Sequence, residues 1–119
     1  MPSLVQKKSF GSVKVFWLDR KEALNILKKC ARRLIRNHPE AIKVILFGSL
    51  AQNRAVPGSD ADLLITLKYS EKRFMDRPLD FYKYFENIGI AVDVFCYTEE
   101  EIKEIPLAQN ALKNGISLL

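Results

Sequence analysis

The chain of 119 residues is short of the residue types that build several common kinds of site. Its only histidine, His38, cannot assemble a multi-histidine metal centre. It stands before Pro39 and reads as a surface loop residue. The two cysteines, Cys30 and Cys96, are far apart and match no metal or redox spacing. They read as buried thiols, one on a helix and one in a strand. No apolar run approaches the ~20 residues that a membrane-crossing helix needs, so no membrane partner is expected. The opening residues, MPSLVQKKSFG, lack an apolar signal core, and a cytoplasmic protein is expected. There is no repeat, linker or low-complexity segment.

What remains is the composition of an ordinary soluble globule, 48% hydrophobic and 28% charged. The length predicts a single domain, 1–119, that buries roughly two-thirds of its unfolded surface. The net charge of +5 is unevenly spread. Residues 1–54 hold 12 Lys or Arg against 3 Asp or Glu, and the remainder 7 against 11. A basic half suits a phosphate-rich ligand or an acidic partner, and equally a solvated helix face.

Residues 12–18, SVKVFWL, predict a strand. Asp19 with Glu22 then opens a helix over Arg20 to Asn37, whose apolar positions Leu24, Leu27, Ala31, Leu34 and Ile35 recur at helical spacing. Lys28, Lys29, Arg32, Arg33 and Arg36 cover its other face. Residues 42–47, IKVILF, predict a buried strand. One or two helical turns are expected over 49–54, a turn at 56–59, and a strand at 61–67. Residues 68–77 read as a polar, basic connection. A helix is expected over 80–87 with Phe81, Tyr84 and Phe85 on one side, stopped at Gly89. Residues 90–97 predict another strand. Thr98 with Glu101 forms a capping box for a short helix ending near Pro106, and a last helix covers 107–113. This order implies an α/β (α+β) fold, a small mixed β-sheet covered by helices.

The chemistry concentrates in residues 46–65, LFGSLAQNRAVPGSDADLLI. An apolar run ends in Gly48-Ser49, a polar turn follows, and Asp60 and Asp62 open the next apolar run. Asp93 lies inside a third, IAVDVFCY. A lone Asp-x-Asp is usually a cap or a turn, and a lone Gly-Ser means little. A carboxylate within an apolar strand, however, is costly unless paired or metal-bound. Strand residues i and i+2 share a face, so Asp60 and Asp62 project together. If the Asp93 strand lies beside theirs in register, all three converge. Such hard oxygen ligands suit Mg²⁺ or Mn²⁺. Two such ions, about 3.5–4 Å apart, can clamp an in-line phosphoryl displacement. Gly48 lets backbone approach a phosphate closely, and Ser49 adds a hydroxyl donor.

This segment, Gly-Ser, a spacer of roughly ten residues, Asp-x-Asp, and a later in-strand Asp, resembles the signature of the minimal nucleotidyltransferases of the DNA polymerase β-like superfamily. The match spans about 42–97. The resemblance implies the nucleotidyltransferase fold and an enzyme, with Gly48 and Ser49, and Arg54 beside them, holding a nucleoside triphosphate. Asp60, Asp62 and Asp93 are then catalytic residues and ligands of two Mg²⁺ ions, Asp93 also serving as base for the attacking hydroxyl. Many relatives read Gly-Ser-x-Ala-Arg-Gly; here Gln52 and Asn53 replace the Arg-Gly pair, removing a fixed charge and a forked donor set.

Small proteins of this kind resemble antitoxins paired with a HEPN-domain RNase. The implied reaction is transfer of AMP from ATP to a hydroxyl on that partner. The chain shows no second substrate domain, so a partner or another copy of itself would complete the acceptor pocket. Residues 68–77, Phe74, Tyr82 and Trp17 are candidates to contribute, with ordinary packing as the plainer reading of the aromatics. Two alternatives stay open: a weakly active or inactive module that neutralises a HEPN partner by contact, and a small-molecule transferase of the aminoglycoside type.

Overall fold

The computed structural model describes residues 5–10, 13–52, 54 and 60–119, with side chains from Asp19 onward. Strands β1 (Val5–Phe10) and β2 (Val13–Leu18) pair antiparallel as a hairpin of their own. The first of these is an addition to the sequence reading, because VQKKSF does not alternate and its strand character comes from pairing. Trp17 belongs to this hairpin, and its side chain lies outside the described ones.

Helix α1 spans Arg20–Asn37, as its periodicity predicts. Asp19 Oδ1 accepts from the Glu22 amide at 3.1 Å, satisfying one of the free N–H groups of the first turn. Ala23, Leu27, Cys30, Ala31 and Leu34 form its buried stripe. His38 closes the helix but is not a surface loop residue. It is half-buried, its ring 4.8 Å from Phe81 and 5.5 Å from Tyr84, with Nδ1 2.8 Å from Glu40 Oε1. Only the folding of a distant segment onto the end of α1 creates that corner.

A four-stranded mixed sheet follows, with strand order β5-β4-β3-β6. Its members are β3 (Ala41–Phe47), β4 (Ala61–Leu67), β5 (Val92–Thr98) and β6 (Ile116–Ser117). β4 runs antiparallel to β3 and parallel to β5. One face, with Val44, Leu46, Leu63, Ile65, Val94 and Cys96, packs against α1. The other, with Ile45 and Leu64, packs against α3 (Pro106–Asn114) through Ala108 and Ala111. Both faces of β4 are therefore covered, and Asp62 is its one residue that is not buried.

The connection from β4 to β5 departs from expectation. In place of one α-helix over 80–87 there are two 3-10 helices, Phe74–Asp80 and Tyr82–Phe85. Pro78 inside the first can donate no helical hydrogen bond. Asn87 and Gly89, with φ of 56° and 86°, turn the chain away after the second. The aromatic spacing still predicts burial correctly, since Phe81, Tyr84 and Phe85 are all in the core. Phe74 packs on Tyr97 at 4.8 Å, and the Val94 amide donates to the Tyr82 hydroxyl, so the plainer packing reading holds for both. The capping box is present in full: the Thr98 amide donates to Glu101 Oε1 at 2.8 Å and the Glu101 amide to Thr98 Oγ1 at 3.2 Å. It opens α2 (Glu99–Ile102). Pro106, expected as a stop, is also the first residue of α3. Among the described residues no helix is long and apolar enough to cross a membrane.

Candidate active site

The sheet register brings the carboxylates together. Asp62 stands opposite Asp93 across the parallel β4–β5 pair, and opposite Phe47 across the antiparallel β3–β4 pair. Asp60 lies just before β4, where the Ala61 amide donates to the Ala91 carbonyl at 2.8 Å and ties the two strand starts together. Asp60 and Asp93 are exposed, while Asp62 is half-buried. Burial pushes the Asp62 carboxyl above the usual range, and the negative charges of Asp93 and Asp60 push the same way. Asp60 and Asp62 stand at the start of β4 and Asp93 at the start of β5, so all three lie toward one end of the sheet.

Gly48 follows Phe47 with a φ of +79°. A Cβ built there would stand 2.4 Å from Asp62 Oδ2, so the backbone lies directly against the carboxylate. Only glycine gives both that conformation and that closeness. Of the one or two helical turns expected over 49–54, a single α-turn forms. The Gln52 amide donates to the Gly48 carbonyl at 3.1 Å and the Arg54 amide to the Ser49 carbonyl at 2.8 Å. The second bond spans five residues, wider than an α-turn, and breaks the helical ladder. Among the described residues, no backbone carbonyl accepts from the N–H groups of Ser49, Leu50 or Ala51. Leu50 is fully buried and pins the turn to the core.

Arg54 is exposed and donates from Nη2 to Gln52 Oε1, so its guanidinium is directed at the turn itself. Residues 53 and 55–59, including Asn53 and the Pro57-Gly58 turn, lie outside the described residues. Sequence reasoning missed Arg20. Its Nε donates to the Leu50 carbonyl at 3.0 Å and its Nη2 to the Ala51 carbonyl at 3.1 Å, across some thirty positions of sequence. An arginine in the first turn of a basic helix carries no sign of that contact. A groove of about 290 Å³ opens beside the turn, between Gly48, Gln52 and the Leu107, Asn110 and Asn114 side of α3.

Among the described residues, no three His, Cys, Asp or Glu side chains form by themselves a group that could hold a metal ion. The donor set nevertheless fits Mg²⁺, which is usually bound by one or two carboxylates with substrate phosphates and water completing its shell. Asp62 lies against the Gly48 backbone and feels the negative charges of Asp93 and Asp60.

A mixed sheet with Gly-Ser at the end of one strand and aspartates on the next two defines the nucleotidyltransferase fold. The chain belongs to the polymerase beta nucleotidyltransferase family, whose profile matches residues 28–119. Its fold is similar to that of a candidate nucleotidyltransferase from Sulfolobus solfataricus, at 21% identity and a TM-score of 0.63, over 82% of this chain and 80% of that one. It is also similar to a chain of a toxin–antitoxin complex crystallised with AMP-PNP, at 20% identity and a TM-score of 0.57, over 77% and 72% of the two chains. No curated protein matches it.

Proposed function

We propose that this protein transfers AMP from ATP, with Mg²⁺, to a hydroxyl of a partner protein, and that it acts as the antitoxin to a HEPN-type RNase. The observation that carries the reading is the pairing of Asp62 with Asp93 in register, with Gly48 backbone against Asp62 Oδ2. Family membership and the likeness to a toxin–antitoxin structure support it. The N–H groups of Ser49, Leu50 and Ala51, which have no backbone acceptor among the described residues, and the Ser49 hydroxyl would hold the β- and γ-phosphates. Asp60, Asp62 and Asp93 would hold the metal, which when bound neutralises charge building on the leaving pyrophosphate. Asp93 takes the proton of the acceptor hydroxyl. That oxygen bonds to the α-phosphorus as the bond to pyrophosphate breaks.

A contact-only antitoxin is the second reading. Gln52 stands where many relatives carry Arg, and Arg54 is turned onto Gln52, which leaves the turn with fewer outward cations. Calorimetry of ATP with and without Mg²⁺, on the natural chain and on Asp60→Asn/Asp62→Asn, tests the nucleotide site. Mass spectrometry of a co-expressed partner then tests transfer. Metal-dependent binding lost in the double variant, with an AMP adduct made only by the natural chain, is expected. An Asp62→Asn chain that modifies the partner equally well overturns the metal assignment. Neutralisation without any adduct, surviving loss of all three aspartates, establishes the contact-only reading.

A further inference from the structure

We infer that Arg20 is a positioning residue for the nucleotide, aiming a backbone N–H of the Gly48–Gln52 turn at the phosphates. The inference rests on the nucleotide reading above and deepens it.

In a trans peptide the carbonyl and the following N–H point in opposite directions. The Leu50 carbonyl accepts from Arg20 Nε, so the Ala51 N–H points away from Arg20. The Ala51 carbonyl accepts from Arg20 Nη2, so the Gln52 N–H also points away, and it closes on the Gly48 carbonyl. One guanidinium thus fixes two successive peptide planes. The first leaves the Ala51 N–H without a backbone acceptor among the described residues. The second closes the turn that begins at Gly48, whose backbone abuts Asp62.

Charge adds to orientation. Among the described residues no carboxylate forms an ion pair with Arg20, so its positive charge is spent on the turn's carbonyls. A cation on the carbonyl side polarises the peptides so that their N–H ends become better anion donors. This compensates in part for Gln52, since the charge missing from the front of the turn is supplied from behind it. Lysine cannot substitute fully. Its ammonium is a point donor, whereas the guanidinium fork spans two carbonyls. Asp19 holds the start of α1, which keeps the Arg20 backbone in place while the side chain reaches the turn.

The test uses the full chain with Mg²⁺ and AMP-PNP as the probe, followed by calorimetry and by amide NMR, with thermal unfolding as the fold control. On the natural chain the Ala51 amide resonance is expected to move on titration. Arg20→Ala should bind roughly tenfold more weakly, the lower end of what outer partners of a ligand site are worth, and should lose the Ala51 shift. Arg20→Lys should fall between the two, and it carries the same test should the alanine variant fail to fold. A merely structural Arg20 would lower the melting temperature but leave the affinity of the folded variant unchanged, which overturns the inference. So does an Ala51 amide that stays still while the natural chain binds. A natural chain that binds no Mg²⁺·AMP-PNP overturns the nucleotide reading itself, and the role of Arg20 with it.

Discussion

Gly48 holds two constraints at once, a φ of +79° and a contact in which any Cβ meets Asp62 Oδ2 at 2.4 Å. The left-handed conformation alone costs a non-glycine residue about 1–2 kcal/mol. Gly48→Ala is therefore expected to destabilise the chain by at least that much in urea denaturation. Because the new methyl must push the Asp62 carboxyl aside, the Mg²⁺-dependent nucleotide binding proposed above should be lost even where the variant is folded. Asp62 shows the opposite balance. It is half-buried and faces two further acids, so its charge weakens the fold. Asp62→Asn should melt at a temperature equal to or above that of the natural chain, yet lack the stabilisation by Mg²⁺ and nucleotide that the proposed function predicts for the natural chain. Scanning calorimetry with and without both ligands reads this directly. Such a trade of stability for a charged site is common where function sets the residue.

At the scale of elements, Arg77 joins three of them. It lies on the first 3-10 helix, is 7% exposed, and donates from Nη1 and Nη2 to the two Glu101 oxygens at 2.6 and 3.1 Å. It also reaches the Cys96 carbonyl of β5 at 3.3 Å and the Lys72 carbonyl at 3.1 Å. Arg77→Met removes a charged bidentate pair and leaves carbonyls unpaired, so a loss of about 2–3 kcal/mol is expected. The Arg77 hydrogen bonds hold the Glu101 carboxyl at a pKa of about 2, below the usual 4.5 of a glutamate, with the Thr98 amide helping. A depressed carboxylate gives stability that is complete above its unfolded pKa and fades as pH falls toward the folded one. The contribution should thus be present above about pH 4.5 and fade toward about pH 2. Urea midpoints across that window should fall less steeply in Arg77→Met than in the natural chain.

At the scale of the molecule, the end of the described chain returns to its centre. The Leu118 amide donates to the Val44 carbonyl at 2.9 Å, and the Leu118 side chain is 1% exposed in the main core. Leu118→Ala should cost about 2–5 kcal/mol, the range for opening a cavity at a buried leucine, as measured by chemical denaturation. The cysteines report on the same core. Cys96 is fully buried and its thiol is pushed up to about 12 by burial; Cys30 is raised for the same reason. A thiolate-selective reagent such as DTNB should label neither in the native state, and labelling should follow global unfolding. Rapid labelling of either thiol under native conditions would contradict the packing described.

The sequence by itself determined what local physics controls. Helical spacing placed α1, apolar runs placed β3, β4 and β5, and Thr98 with Glu101 marked a cap, because each depends on neighbours within a few residues. It also named the carboxylates and Gly48-Ser49, since their residue types and spacing survive without coordinates. Only the tertiary structure decided what depends on partners distant in the chain. Strand order set Asp62 opposite Asp93. Packing and Pro78 turned an expected α-helix into two 3-10 helices, and drew His38 beneath Phe81 and Tyr84. The reach of Arg20 to Leu50 and Ala51 joins groups whose proximity exists only once α1 and β3 share a core.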